Sequence, residues 1–112
     1  MKQEFEFFTA SDWPWKPGAV VGMEQKVLSR DVDDPEILTR LVRWQPDLDT
    51  SAAGAITHDW VEEVYILDGE LHDISLGLTF GAGHYASRRP QMPHGPYRTA
   101  QGCTMLEIRY RP

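Results

Sequence analysis

His58, Glu62 and His94 are the residues of this chain whose types and spacing could do metal chemistry. A divalent first-row cation that keeps positions open for a substrate or for oxygen is suited by neutral imidazole nitrogens and one anionic oxygen. His58 and Glu62 are four residues apart, and His94 closes the proline-bounded turn Pro90-Gln-Met-Pro93. On a helix the first pair would share a face. On a straight strand it would be about 13 Å apart at roughly 3.3 Å per residue, too far for one ion. The β-branched and aromatic run Val64-Tyr65-Ile66 after Glu62 and Glu63 rejects the helix. Asp59-Trp60-Val61 must therefore bend the chain, and a third ligand must come from elsewhere. His94 is the best candidate because Pro90 and Pro93 rigidify its turn.

The elements that must position these groups read as short strands. Trp13-Pro-Trp15-Lys-Pro17-Gly18 breaks any helix and belongs to an extended arm over about the first 30 residues, in which Val20 to Leu28 is partly apolar. Asp31 to Pro35 is a polar turn, Ile37 to Trp44 alternates like a strand, and Gln45 to Gly54 is a polar loop. Glu63 to Leu67 is the strongest strand signal. Asp68-Gly69 reads as a hairpin turn, since both residues tolerate positive φ, with Glu70 to Ser75 as the returning strand. A glycine-rich stretch, Leu76 to Gly83, leads to a short strand at His84 to Arg88 and a turn at Arg89 to Pro96. Thr104 to Arg111 alternates strictly, with Met105, Glu107 and Arg109 on one face. With no ten-residue amphipathic helix, repeat or linker, the pattern predicts a single all-β domain, a sandwich or barrel spanning 1–112.

Composition narrows the function. The formal net charge is −6, against a nucleic-acid partner, which needs clustered Lys and Arg. No apolar run approaches the roughly 18 residues of a membrane span, and the acidic start Met-Lys-Gln-Glu-Phe-Glu is unlike a secretory signal. The expectation is a cytoplasmic protein with no membrane partner. The lone Cys103 makes no internal disulfide and removes any cysteine-based zinc site; it reads as a small buried apolar group. No serine has the glycines of a nucleophile elbow around it.

The chain resembles a cupin, of the small single-domain group related to the cupin half of the anti-sigma factor ChrR and to acetylacetone- and dihydroxyacetophenone-cleaving dioxygenases. Glu62 and Gly69 have the spacing that closes the family's first motif, which puts its second histidine on His58, and the pair Glu62-Glu63 is typical of the ChrR-like branch. Gly83, Pro90 and His94 map onto the second motif. Trp13 to Gly18, Lys26-Val-Leu28 and Gly102-Cys103 resemble the family's lead-in and last strand. Two departures stand out. Ile56 occupies the position of the first motif histidine, and the second motif is one residue short, with Met92 where glycine is expected.

The resemblance implies a jelly-roll β-barrel in which His58, Glu62 and His94 hold a divalent metal, Fe(II) first, with Mn, Ni or Zn as alternatives. It implies a dioxygenase or related lyase acting on a small oxygen-rich or diketone-like substrate; Trp60, inside the ligand bend, and Met92 and Tyr97, flanking His94, would lie close to that substrate. The absent first histidine favours a second reading, a non-catalytic metal-dependent sensor or small-ligand binding module. His72 and His84 read as structural, Glu63 as an outward partner for Arg or Lys, and Arg88-Arg89 as a solvated strand end, with a grip for a carboxylate as the alternative. An aromatic arm from Phe5 to Trp15 on a small β-barrel also points to a homodimer.

Overall fold

A computed structural model describes residues 1–112. Eight strands follow in order: β1 (Lys16–Pro17), β2 (Met23–Arg30), β3 (Leu38–Trp44), β4 (Val61–Asp73), β5 (Leu78–Gly81), β6 (Tyr85–Arg88), β7 (Tyr97–Arg98) and β8 (Cys103–Tyr110). The only helical pieces are single 3-10 turns at Ala10–Asp12 and Ser51–Ala53. All pairings are antiparallel, in the order β1-β2-β3-β8-β4, with β6 on the other side of the first half of β4. The second half of β4 pairs instead with β5 and β7. One long strand thus serves two sheets. The result is the expected all-β jelly roll, and no helix is long and apolar enough to cross a membrane.

The expected Asp68-Gly69 hairpin does not exist, because β4 runs through both residues. Opposite β8 the register slips between Ile66 and Asp68, leaving Leu67 as the extra residue of a bulge. Before the bulge Glu62, Val64 and Ile66 are buried; after it Leu71 and Asp73 are. An inserted residue reverses which parity faces inward, so both halves of β4 point their apolar side chains at one core. Gly69 makes this passage feasible. It has φ +78°, and a Cβ there would lie 2.0 Å from the Gly102 carbonyl oxygen. The turn-like chemistry of Asp-Gly is real, but it serves a strand that changes sheets.

The core comprises Val42 and Trp44 of β3, Val64, Ile66 and Leu71 of β4, and Cys103 and Met105 of β8. Truncating Ile66 or Met105 to alanine should cost about 2–5 kcal/mol through lost burial and the cavity left behind. The arm expected over about 1–30 is a strand in its last part, as β2 pairs with β3 along its length. Ahead of it the backbone of residues 1–3 joins the Arg30–Val32 edge, and Trp15 lies beneath the Arg43 guanidinium at 4.2 Å.

Candidate metal centre

Glu62, the second residue of β4, points inward and is 5 % exposed. Just before it the chain bends at Asp59-Trp60 and carries His58 back over the strand, so that His58 Nε2 lies 3.0 Å from Glu62 Oε2. The proline turn is laced to this same segment. Ile56 and His94 exchange backbone hydrogen bonds of 2.9 and 3.0 Å, and the Gln91 N–H donates to the His58 carbonyl at 2.7 Å. His94 is thereby aimed at His58, Nε2 to Nε2 at 2.9 Å. The three ligand atoms lie within 4.8 Å of one another. Donors at right angles about an ion, each roughly 2.1 Å from it, are about 3.0 Å apart, the length of the His58–Glu62 and His58–His94 separations.

Protonation suits ligation at the imidazoles. Burial keeps His58 below the ordinary imidazole value, helped by the Arg109 and Arg88 charges. Burial, then Arg88 and His58, lowers His94 to about 4. Both rings are therefore neutral near pH 7. The His58 ring lies flat on Trp60, with centroids 4.5 Å apart and planes 6° from parallel, which fixes its orientation. Neither Nδ1 has a hydrogen-bond partner. A ligating histidine gains basicity from an acceptor on its second nitrogen, so this donor set fits a divalent cation without the outer carboxylates that would tighten it.

The carboxylate sits in a charged lattice that the ladder creates. Arg88 on β6 and Arg109 on β8 are the residues directly opposite Glu62 on its two sides. Arg88 Nη1 donates to Glu62 Oε1 at 2.7 Å, and its Nη2 donates to the Tyr97 hydroxyl at 2.7 Å. One row further, Glu107 lies opposite both Val64 and Arg40 and is bound by the Arg40 guanidinium. Burial, followed by the neighbouring Glu107 charge, raises Glu62 well above the ordinary carboxylate range. Burial also pushes Glu107 upward, but Arg40, its hydrogen bond with Glu62, and Arg109 together hold it below.

A cavity of about 520 Å³ opens against this wall, and His58, Glu62, His94, Trp60 and Tyr97 all line it. Met92 is 42 % exposed and lines an adjoining hollow of about 570 Å³ that His94 also borders. His72 bonds Thr79 and His84 bonds Gly81, both away from the trio. Glu63 faces outward but accepts from the Tyr85 hydroxyl, not from a cation. Arg88 is not a solvated strand end: its side chain is 11 % exposed and belongs to the site. The alternative reading of Arg88, a grip for a carboxylate, fits its bond to Glu62, whereas Arg40, Glu107 and Arg109 were all missed by reading the sequence. The usable signal was parity, since Glu107 and Arg109 continue the alternation of buried Cys103 and Met105.

The family model of the ChrR Cupin-like domain matches residues 3–109. This chain belongs to that family. No curated protein sequence matches the cupin. Among solved structures, an RmlC-like cupin from Shewanella frigidimarina NCIMB 400 is 17 % identical, over 97 % of this chain and 93 % of that one, with a TM-score of 0.72. A candidate acetylacetone dioxygenase from Methylibium petroleiphilum PM1 is 16 % identical, over 94 % and 76 %, with a TM-score of 0.72. The Fe(II) form of HppE with an alternative substrate is 16 % identical, over 95 % and 60 %, with a TM-score of 0.66. At these identities the likeness shows the cupin fold.

Proposed function

We propose that this cupin binds a divalent metal, Fe(II) first, through His58, Glu62 and His94, and cleaves a small oxygen-rich or diketone-like molecule with oxygen or by a related lyase reaction. The observation that carries the proposal is the approach of both Nε2 atoms and Glu62 Oε2 from three separate backbone segments at the cavity wall. The Fe(II) of HppE and the name of the Methylibium protein add support. A bound Fe(II) would supply Lewis-acid polarisation of a substrate carbonyl and an electron source for oxygen chemistry. The protein's own part is positional. Arg88 occupies one oxygen of Glu62, so the carboxylate offers a single donor. Trp60 fixes the His58 ring, and apolar walls from Val42, Trp44, Leu71 and Met105 exclude water around the reacting groups. The test is oxygen consumption by Fe(II)-loaded protein over a panel of small diketones and phenolic ketones. Turnover that vanishes in His94→Ala supports the enzyme; absence of turnover across the panel by fully loaded protein overturns it.

One observation favours the second reading, a metal-dependent sensor or ligand-binding module. Ile56 stands where the family's first motif histidine is expected, and it pairs directly with His94. A site with one imidazole fewer binds metal less tightly and is suited to reversible occupancy. Ligand binding without turnover in loaded protein would select this reading.

A further inference from the structure

The charges inside the cavity do not cancel. Its lining sets the guanidinium groups of Arg40, Arg88 and Arg109 against the two carboxyl groups of Glu62 and Glu107, a net positive wall in a chain whose formal charge is −6. The pairing shows which charge is in excess. Arg88 is satisfied by Glu62 and Tyr97, and Arg40 by Glu107 and by the Gln25 side-chain Oε1 at 2.7 Å. Arg109 has only a long 3.5 Å approach to Glu107, a carboxylate already engaged by Arg40, and the face of Trp60 at 4.7 Å. Its side chain is 15 % exposed, and its Nε is buried with no partner. A desolvated guanidinium left short of acceptors is costly unless something supplies them, and its planar fork matches a carboxylate. A divalent ion at the neighbouring trio would add to the positive sign.

We propose that the small molecule taken by this cavity carries a carboxylate, and that Arg109 is the residue that binds it. The placement suits a short molecule. Arg109 is the direct cross-strand neighbour of Glu62 on β8, so groups bound at the two residues are separated by roughly one strand spacing, about 5 Å. A compact keto acid spans that interval, with its anionic end at Arg109 and its carbonyl toward His58 and His94. Trp60 forms the wall between the two ends, stacked on His58 and under Arg109. This rests on the metal reading only for the location of the carbonyl end; the carboxylate end follows from the guanidinium left short of acceptors.

The test compares acetoacetate with methyl acetoacetate, two β-dicarbonyl probes that differ in charge, by anaerobic titration calorimetry against Mn(II)-loaded and metal-free protein. Metal content is measured in each sample. The acid is expected to bind roughly tenfold or more tighter than the ester, as a charge-assisted hydrogen-bond pair warrants. In Arg109→Gln the ratio should fall to about one with metal content unchanged, and Arg109→Lys should keep part of it. Equal affinities in the unmodified protein, binding of neither probe, or a ratio untouched in both variants would overturn the proposal. Should Arg109→Gln fail to fold, the Arg109→Lys ratio decides. A protein that retains no metal but still prefers the acid would remove the metal reading and leave this one standing.

Discussion

Arg88 and Glu62 are direct neighbours across β6 and β4, with guanidinium Nη1 2.7 Å from carboxylate Oε1 and the two side chains only 11 % and 6 % exposed. The pair divides the work of one carboxylate. Oε1 is held by the arginine, and Oε2 is left beside His58. The charge that would ligate a cation is thus kept in place by a fixed cation when none is bound.

Replacing that arginine by methionine leaves Glu62 buried without its partner, a loss of about 3–5 kcal/mol for a pair of this kind. Arg88→Met should therefore lower the urea midpoint of the metal-free protein markedly, and saturating Mn(II) should recover part of the loss, because the ion replaces the missing positive charge. An equal loss with and without Mn(II) would mean that no ion sits at Glu62.

The pH dependence of metal binding should come from the acid, not from the histidines. Burial and Glu107 raise Glu62 to about 7, so a proton competes with the cation there; affinity should fall by up to about tenfold per pH unit below that value and level off above it. His94, lowered to about 4, stays neutral through this window and adds no slope, and burial keeps His58 below the ordinary imidazole value, so its part is confined to the acid end. For stability the sign at His94 is that of a depressed pKa. Its contribution is complete above the ordinary imidazole value of about 6.5 and is lost as pH falls through about 4. Calorimetric titration of Mn(II) from pH 5.5 to 8.5 tests the first point. A slope of two or more protons would show that the histidines also discharge.

Ile56→His should raise metal affinity. Residues that exchange both backbone hydrogen bonds project side chains to the same side of a ladder, and Ile56 and His94 do exchange both. The new imidazole would enter the cavity beside His94, since Ile56 already lines it. Ten-fold or greater tightening, of the order that single ligand-shell changes produce, is the expected result of competition with a chromogenic chelator. An unchanged affinity would place the isoleucine out of reach of the ion.

The aromatic arm carries the expectation of a homodimer. Phe5, Phe7, Phe8 and Trp13 are 50, 105, 40 and 38 % exposed, and Phe8 stacks on Trp13 at 4.7 Å, leaving an apolar cluster open to solvent. Light scattering after size exclusion should give twice the chain mass at micromolar concentration. The double change Phe7→Ser, Phe8→Ser should give a monomer, and a monomeric unmodified protein would refute the pairing.

Much of this architecture was legible in the sequence because apolar alternation survives wherever a strand has one buried face. The stretch Ile37 to Trp44 became β3, and Thr104 to Arg111 became β8 shifted by one residue. The bend between His58 and Glu62 followed from their spacing once the β-branched run after Glu63 ruled out a helix and both were assigned to one ion. Two features resisted for physical reasons. Asp68-Gly69 has the composition of a tight turn, yet a bulge with positive φ needs the same residue chemistry, so local sequence does not separate a chain that reverses from one that changes sheets. Arg88, Glu107 and Arg109 carry charge, which usually marks the outer face of a strand. Here Arg88 pairs with Glu62 and Glu107 with Arg40 across neighbouring strands, and Arg109 follows Glu107 by parity on β8; the pairing that permits this is set by register, not by any local pattern.

The central claim is that one ion binds where residues 58, 62 and 94 meet. Its most direct measurement is the metal content of purified protein and of His94→Ala after anaerobic loading with Fe(II) and gel filtration. About one equivalent in the unmodified protein and a small fraction of that in the variant is the expected result. Equal iron in both, or none in either after loading with Fe, Mn, Ni and Zn in turn, would contradict it.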